Sequence, residues 1–107
     1  MSWTITLHRA AKQEFDNQPA DIRAKLAHIV KLIETFGLSR VPVKYTKHLQ
    51  GALWEFRLKG KDSIVRALYV TALDRRIVIV RVFTKKTQKT PRREIEIALE
   101  RAKDFSD

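Results

Sequence analysis

The reading of the fold rests on LWEFRLKGKDSIVRALYVTALDRRIVIVRVFTK, residues 53–85. Within it, LWEFRLK (53–59) alternates apolar and polar residues, while SIVRALYVTA (63–72) and IVIVRVFTK (77–85) are rich in β-branched and aromatic residues. Three strands follow from that pattern. Gly60-Lys61 reads as a two-residue type II′ turn and Asp74-Arg75 as the second turn. These turns place Glu55 opposite Arg66, Arg57 opposite Ile64, Phe83 opposite Arg66 and Lys85 opposite Ile64. Alternation then makes Trp54, Phe56, Val65, Ala67, Tyr69, Val78, Val80 and Val82 a core face. The opposite face gathers Glu55, Arg57, Arg66, Arg81, Phe83 and Lys85 at one end. Its other end, Leu53, Leu68, Val70 and Ile79, is apolar and needs a cover.

Upstream, Ser2 to Leu7 alternate as a first strand, and Arg9 to Asn17 read as a helix. Pro19 suits the first turn of a second helix. There Ile22, Leu26, Ile29, Ile33 and Phe36 recur at helical spacing, and Gly37 supplies the stop. Leu38 to Gln50 show no clean period and read as a loop with a short turn. Downstream, a last helix runs from Pro91 to about Asp104, with Thr90 as its N-cap and Ile95, Ala98, Leu99 and Ala102 as its apolar stripe. That helix is the obvious cover for the apolar end of the sheet. The order β-α-α-β-β-β-α makes an α+β fold with a mostly antiparallel sheet, with residues 1–107 as a single domain.

The chain carries a formal net charge of +10, which draws polyanions. From Lys44 to Arg93 there are 14 Lys and Arg against three acids, and the remainder has eight basic and nine acidic residues. The whole excess lies in the middle half, as a binding face for nucleic acid requires. There is no cysteine, so disulfides and thiolate metal sites are excluded; no apolar run approaches a membrane span, and the start lacks a signal-peptide pattern. A cytoplasmic location is expected, with no membrane partner.

The basic residues converge on a strand-to-helix junction, Lys85, Lys86, Lys89, Arg92 and Arg93. Parity turns Lys86 away from Lys85, although it lies where the chain leaves the sheet. Cations in the first turn of a helix oppose its dipole at a cost of roughly 0.3–1 kcal/mol each, which a bound phosphate would relieve. Glu55 amid Arg57, Arg66 and Lys85 could take a proton from a ribose 2′-hydroxyl while the cations hold the phosphate, which suits metal-free RNA cleavage. Glu55 could equally orient Arg66. Arg81, Phe83, Lys89, Arg92 and Arg93 are candidate RNA contacts, Phe83 by stacking on a base. His8, His28 and His48 are scattered and read as surface or capping residues, and Trp3 and Trp54 as core. No metal-ligand spacing, phosphate-cradling glycine loop or Ser/His/Asp set is present, and no cofactor is expected.

KHLQGALWEFR (47–57), IVRALYV (64–70) and FTKKTQKTPRREIEIALERAKDF (83–105) together resemble HigB-type toxins of the phage-derived branch within the RelE/ParE toxin superfamily. The resemblance implies a ribosome-dependent messenger RNA endonuclease that inhibits translation. It also implies a cognate helix-turn-helix antitoxin of the HigA type, and operator DNA bound through that antitoxin. Arg57 is similar to a basic active-site residue on the strand after the aromatic, Arg66 to the arginine of a YR-x-x-Y strand, and Lys85-Lys86 to a basic pair ending the last strand. The chain departs from that pattern in two places. Glu55 stands where RelE-like enzymes have a basic residue, and Thr87-Gln88-Lys89-Thr90 replaces a tyrosine that often follows the basic pair. Two other readings remain open at this point: a ParE-like toxin that inhibits DNA gyrase without catalysis, and a non-catalytic module that binds RNA or ribosomes.

Overall fold

A computed structural model describes residues 2–105. Both faces of the central sheet are buried. Strand β1 (Thr4–Leu7) leads into helix α1 (Arg9–Asp16) and helix α2 (Ala20–Phe36). Two single-turn 3₁₀ segments, Leu38–Arg40 and Val43–Tyr45, precede strands β2 (Thr46–Gln50), β3 (Leu53–Lys59), β4 (Ile64–Ala72) and β5 (Arg76–Thr84). Helix α3 (Arg92–Ala102) and a 3₁₀ turn, Lys103–Phe105, are the last of the described elements. The five strands lie in the order β1-β5-β4-β3-β2, with β1 parallel to β5 and the other pairs antiparallel. This is the expected mixed α+β fold with a mostly antiparallel sheet and one strand more than the sequence reading provides.

That extra strand is β2, inside the stretch read as a loop. It escapes periodicity analysis because it is a short edge strand with a register shift between His48 and Gln50 and only partial burial. Elsewhere the segments fall within a residue or two of expectation. Gly37 ends α2 with φ +91°, and its N–H donates to Ile33 O at 2.8 Å.

Both hairpins differ in register from the two-turn reading. Residues Gly60 to Ser63 form a four-residue connection closed by Gly60 N donating to Ser63 O at 2.8 Å, so Arg57 pairs with Arg66 and Glu55 with Leu68. Asp21 fixes this loop: its Oδ2 accepts from Lys61 N at 2.6 Å. A Cβ on Gly60 would lie 2.6 Å from that same carboxylate oxygen and 2.8 Å from Ile22 Cδ1, so a larger residue here would have to push both side chains aside. The slip is two residues, an even number, so the side chains keep their faces. In the second hairpin Ala72 pairs with Arg76 across three residues, with Asp74 at φ +61° and Arg75 at φ +57°. A bulge then restores the expected pairing of Arg66 with Phe83.

The bulge changes which residues form which core. One cluster, between the sheet and α1 and α2, contains Ile22, Leu26, Ile29, Ile33, Phe56, Val65, Tyr69, Ile77, Ile79 and Val82. The other, between the sheet and α3, contains Leu53, Leu68, Val78, Val80, Phe83 and Ala98. Val78 and Val80 therefore lie on the α3 side and Ile79 on the other, the reverse of simple alternation. Helix α3 does cover the apolar end of the sheet, through Ile95, Ala98, Leu99 and Ala102. Phe56 and Tyr69 stack with ring centroids 4.0 Å apart, and burial pushes the Tyr69 hydroxyl up to about 12. Trp54, read as core, is 39 % exposed and lies against His48 instead.

Candidate active site

Glu55, Arg57 and Arg66 project from one face of the β3–β4 hairpin, as the alternation requires. Glu55 is only 1 % exposed, so its charge must be matched in place. Arg66 Nη1 donates to Glu55 Oε2 at 3.1 Å, and Arg57 Nε lies 3.6 Å from the same oxygen. The second oxygen, Oε1, accepts from Thr90 Oγ1 at 2.6 Å. Thr90 is therefore not the cap of α3; Pro91 occupies that position, and no side chain caps the helix. The threonine instead fastens the basic junction to the carboxylate of β3.

Arg66 is 6 % exposed, so its guanidinium is nearly as enclosed as its partner. Burial pulls Arg66 below its ordinary value, Glu55 opposes that, and Arg57 adds to it. Lys85 follows on β5, its backbone N–H donating to Ile64 O at 2.7 Å. Desolvation lowers its ammonium, the charges of Arg66 and Arg57 lower it further, Glu55 opposes, and Lys47 adds slightly to the fall. Burial is the first cause of both shifts, and beside it one carboxylate faces three cations. The Nε–H groups of Arg57 and Arg66 are buried and have no hydrogen-bond acceptor.

Arg57, Arg66 and Lys85 open onto a cleft of about 760 Å³. Its opposite wall is α2, through Asp21, Lys25 and His28, together with Lys44 and Tyr45 from the turn before β2. His28, read as a surface residue, and Tyr45 are thus brought to the site from outside the strand cluster. The signal for His28 was present in the helical spacing. Asp21, Lys25 and His28 form a polar stripe beside the buried Ile22–Leu26–Ile29 stripe, on the flank that meets the β3–β4 hairpin. Tyr45 lay in the stretch without a period. His8 does cap α1, with Nδ1 accepting from Ala10 N at 3.0 Å, and His48 Nε2 donates to Gly51 O at 2.7 Å.

The remaining candidates divide. Lys86 is exposed and lines a shallow neighbouring hollow with Ile64, Lys85, Thr87 and Gln88. Lys89, Arg92 and Arg93 are exposed and do not line the cleft, and Arg92 Nη1 donates to Gln50 Oε1 at 3.1 Å. Phe83 is 8 % exposed and packs beneath α3, so it has no open ring face for a base. Arg81 lies in a separate network. Its Nε donates to Glu94 Oε1 at 2.6 Å, and its Nη1 pairs with Glu14 Oε2. Arg101 completes the network, with Nη2 2.9 Å from Glu14 Oε2 and Nη1 donating to Val80 O at 2.9 Å. Burial pushes the Glu14 carboxyl up, but the bond from Arg101, the Val82 N–H and the charges of Arg81 and Arg101 outweigh it and hold the carboxyl below its usual range.

No curated protein matches the chain significantly in sequence. Among solved structures, an arginine-to-alanine double mutant of the E. coli toxin RelE in the free state superposes with a TM-score of 0.65 at 13 % identity, covering 94 % of this chain and 98 % of that one. RelE in the archaeal RelE–RelB complex from Pyrococcus horikoshii OT3 gives 0.54 at 17 % identity, covering 78 % of this chain and 96 % of that one. At these identities the likeness shows the fold. The sequence profile of the family described as "Phage derived protein Gp49-like (DUF891)" matches residues 13–103. The chain therefore belongs to the phage-derived Gp49-like family and has the RelE fold.

Proposed function

We propose that this chain is the toxin of a toxin–antitoxin pair and an endoribonuclease that cuts messenger RNA on the ribosome. The observation that carries this reading is the surplus of charge at the cleft: Arg57, Arg66 and Lys85 grouped about a single enclosed carboxylate. Three cations converge where a phosphodiester's non-bridging oxygens would lie and where negative charge grows in the transition state. The ribose 2′-oxygen attacks the adjacent phosphorus and loses its proton. The bond from phosphorus to the 5′-oxygen breaks, that oxygen takes up a proton, and the products are a 2′,3′-cyclic phosphate and a 5′-hydroxyl.

Glu55 acts in this scheme as a positioning residue. Both of its oxygens are engaged and it is closed off from the cleft, so its role is to hold Arg66 and Arg57 in place. Proton transfer falls to groups that line the cleft, His28 first among them. Lys86 and the exposed cations Lys89, Arg92 and Arg93 extend the positive field along the RNA. The ribosome would supply much of the rate by fixing the RNA geometry. A helix-turn-helix antitoxin of the HigA type would silence the toxin in the cytoplasm and carry the pair to operator DNA. The likeness to a RelE–RelB complex supports a protein partner.

The test is to mix purified protein with translating ribosomes and a defined messenger. New 5′-hydroxyl ends paired with cyclic phosphates support the reading. Accumulation of cleaved DNA–gyrase complexes without cut messenger would favour the gyrase inhibitor, since the same fold serves both chemistries. Tight ribosome binding with no cut at saturating protein would favour a plain RNA-binding module.

A further inference from the structure

The phosphate-facing cations occupy only one wall of the cleft, and of the other wall only His28 has been given a role so far. On that wall the Tyr45 ring packs on the core formed with α2 while also lining the cleft, so the side chain is held in place and reaches the cleft. Lys44 Nζ lies over that ring, 5.1 Å from its centroid, and this long, exposed side chain can swing to a phosphate when a base takes its place. Lys25 of α2 adds a second cation to the same wall. Among the described residues the only acid lining the cleft, Asp21, is already engaged, its oxygens accepting from Ile22 N at 2.9 Å and Lys61 N at 2.6 Å. An aromatic ring and two lysines lining one wall of a cleft are the chemistry that single-stranded nucleic acid requires, because every base has a π-face and every linkage a charge.

We infer that the α2–Tyr45 wall is a nucleotide subsite for single-stranded RNA, in which Tyr45 stacks one base and Lys25 and Lys44 hold the phosphates beside it. The inference rests on the cleft being the RNA site. It adds a neighbouring nucleotide to the one held by Arg57, Arg66 and Lys85. An acidic peptide could satisfy the lysines, but it would leave the ring face unused.

The experiment measures fluorescence anisotropy of a labelled, 2′-O-methylated single-stranded RNA, which binds but cannot be cut. Tyr45→Ala is expected to weaken binding by about 5- to 150-fold, the range for losing one stacked base, while Tyr45→Phe binds like the wild type. The exposed pair Lys25→Gln and Lys44→Gln is expected to flatten the dependence of log affinity on log salt by about 1.4, two lost phosphate contacts on a single strand. Thermal melting checks that each variant is folded. Should Tyr45→Ala not fold, Tyr45→Phe and the lysine pair still decide the matter. An unchanged salt slope for the lysine pair overturns the subsite. So does unchanged binding by folded Tyr45→Ala, a loss in Tyr45→Phe, or a polyglutamate peptide that binds as tightly as RNA and loses affinity with the same variants. RNA bound with the expected dependences but never cut on ribosomes would retire the nuclease and keep the subsite. Cut messenger with Tyr45, Lys25 and Lys44 all silent would do the reverse.

Discussion

Two clusters of arginine and carboxylate share this small sheet, and they are built to opposite ends. In one, Glu14 and Glu94 meet Arg81 and Arg101, so two negative charges answer two positive ones and three elements are tied together: α1, β5 and α3. In the other, Glu55 alone answers Arg57 and Arg66, with Lys85 close enough for its ammonium to feel all three. The first closes on itself. The second leaves positive charge facing a cleft. Buried ion pairs seldom add much stability over an apolar alternative, but removing one partner is costly, because the other is left uncompensated. Charge balance, and not the mere presence of arginine, therefore separates the structural clasp from the proposed anion site.

The largest effect on stability is expected at Glu55. Glu55→Ala leaves the Arg66 guanidinium enclosed without its partner and should lower unfolding free energy by about 3–5 kcal/mol in urea denaturation. A variant as stable as the wild type would mean that Glu55 is not holding the site together. Next comes Glu14. Its carboxyl is held below the usual range in the folded chain, so the unfolded chain binds its proton more readily. The stability it contributes is complete above the unfolded carboxylate value of about 4.3 and is lost as pH falls through the lower folded value. Glu14→Gln should cost about 1.5–3 kcal/mol at neutral pH and flatten the acid limb of a stability profile. Messenger cutting at equal folded concentration should not change; a large loss of cutting would erase the distinction between the clusters. The smallest effect is expected at Thr90. Thr90→Val removes one hydrogen bond to Glu55 and should cost about 0.5–1.5 kcal/mol by thermal melting, with a modest fall in cutting as the junction loosens.

The central clustering was legible because it needs only parity. The β3–β4 register lies two residues from the two-residue-turn reading, yet Glu55, Arg57 and Arg66 still share a face, since an even slip preserves alternation. The bulge in β5 is an odd slip. It sends Val78 and Val80 to the α3 side, and nothing in a run of valines and isoleucines marks where the extra residue falls. Arg81 was misplaced for a different reason: its carboxylate partners, Glu14 and Glu94, come from helices distant in sequence. Thr90 shows that a good capping residue before a proline can be taken by a stronger competitor, here a buried carboxylate. On the second wall of the cleft the polar stripe Asp21–Lys25–His28 was present in the helical spacing, but its meeting with β3, β4 and the turn holding Tyr45 needed tertiary structure.

The most direct measurement compares Arg57→Ala with Arg81→Ala in messenger cutting on translating ribosomes, each at matched folded concentration. Arg57 is part of the surplus and Arg81 part of the balanced clasp. Arg57→Ala should lower the cutting rate by about 10²- to 10³-fold, as expected for losing one donor to the developing charge, while Arg81→Ala cuts at close to the wild-type rate. Equal cutting by Arg57→Ala and the wild type, or a loss confined to Arg81→Ala, would contradict the assignment of catalysis to the cations around Glu55.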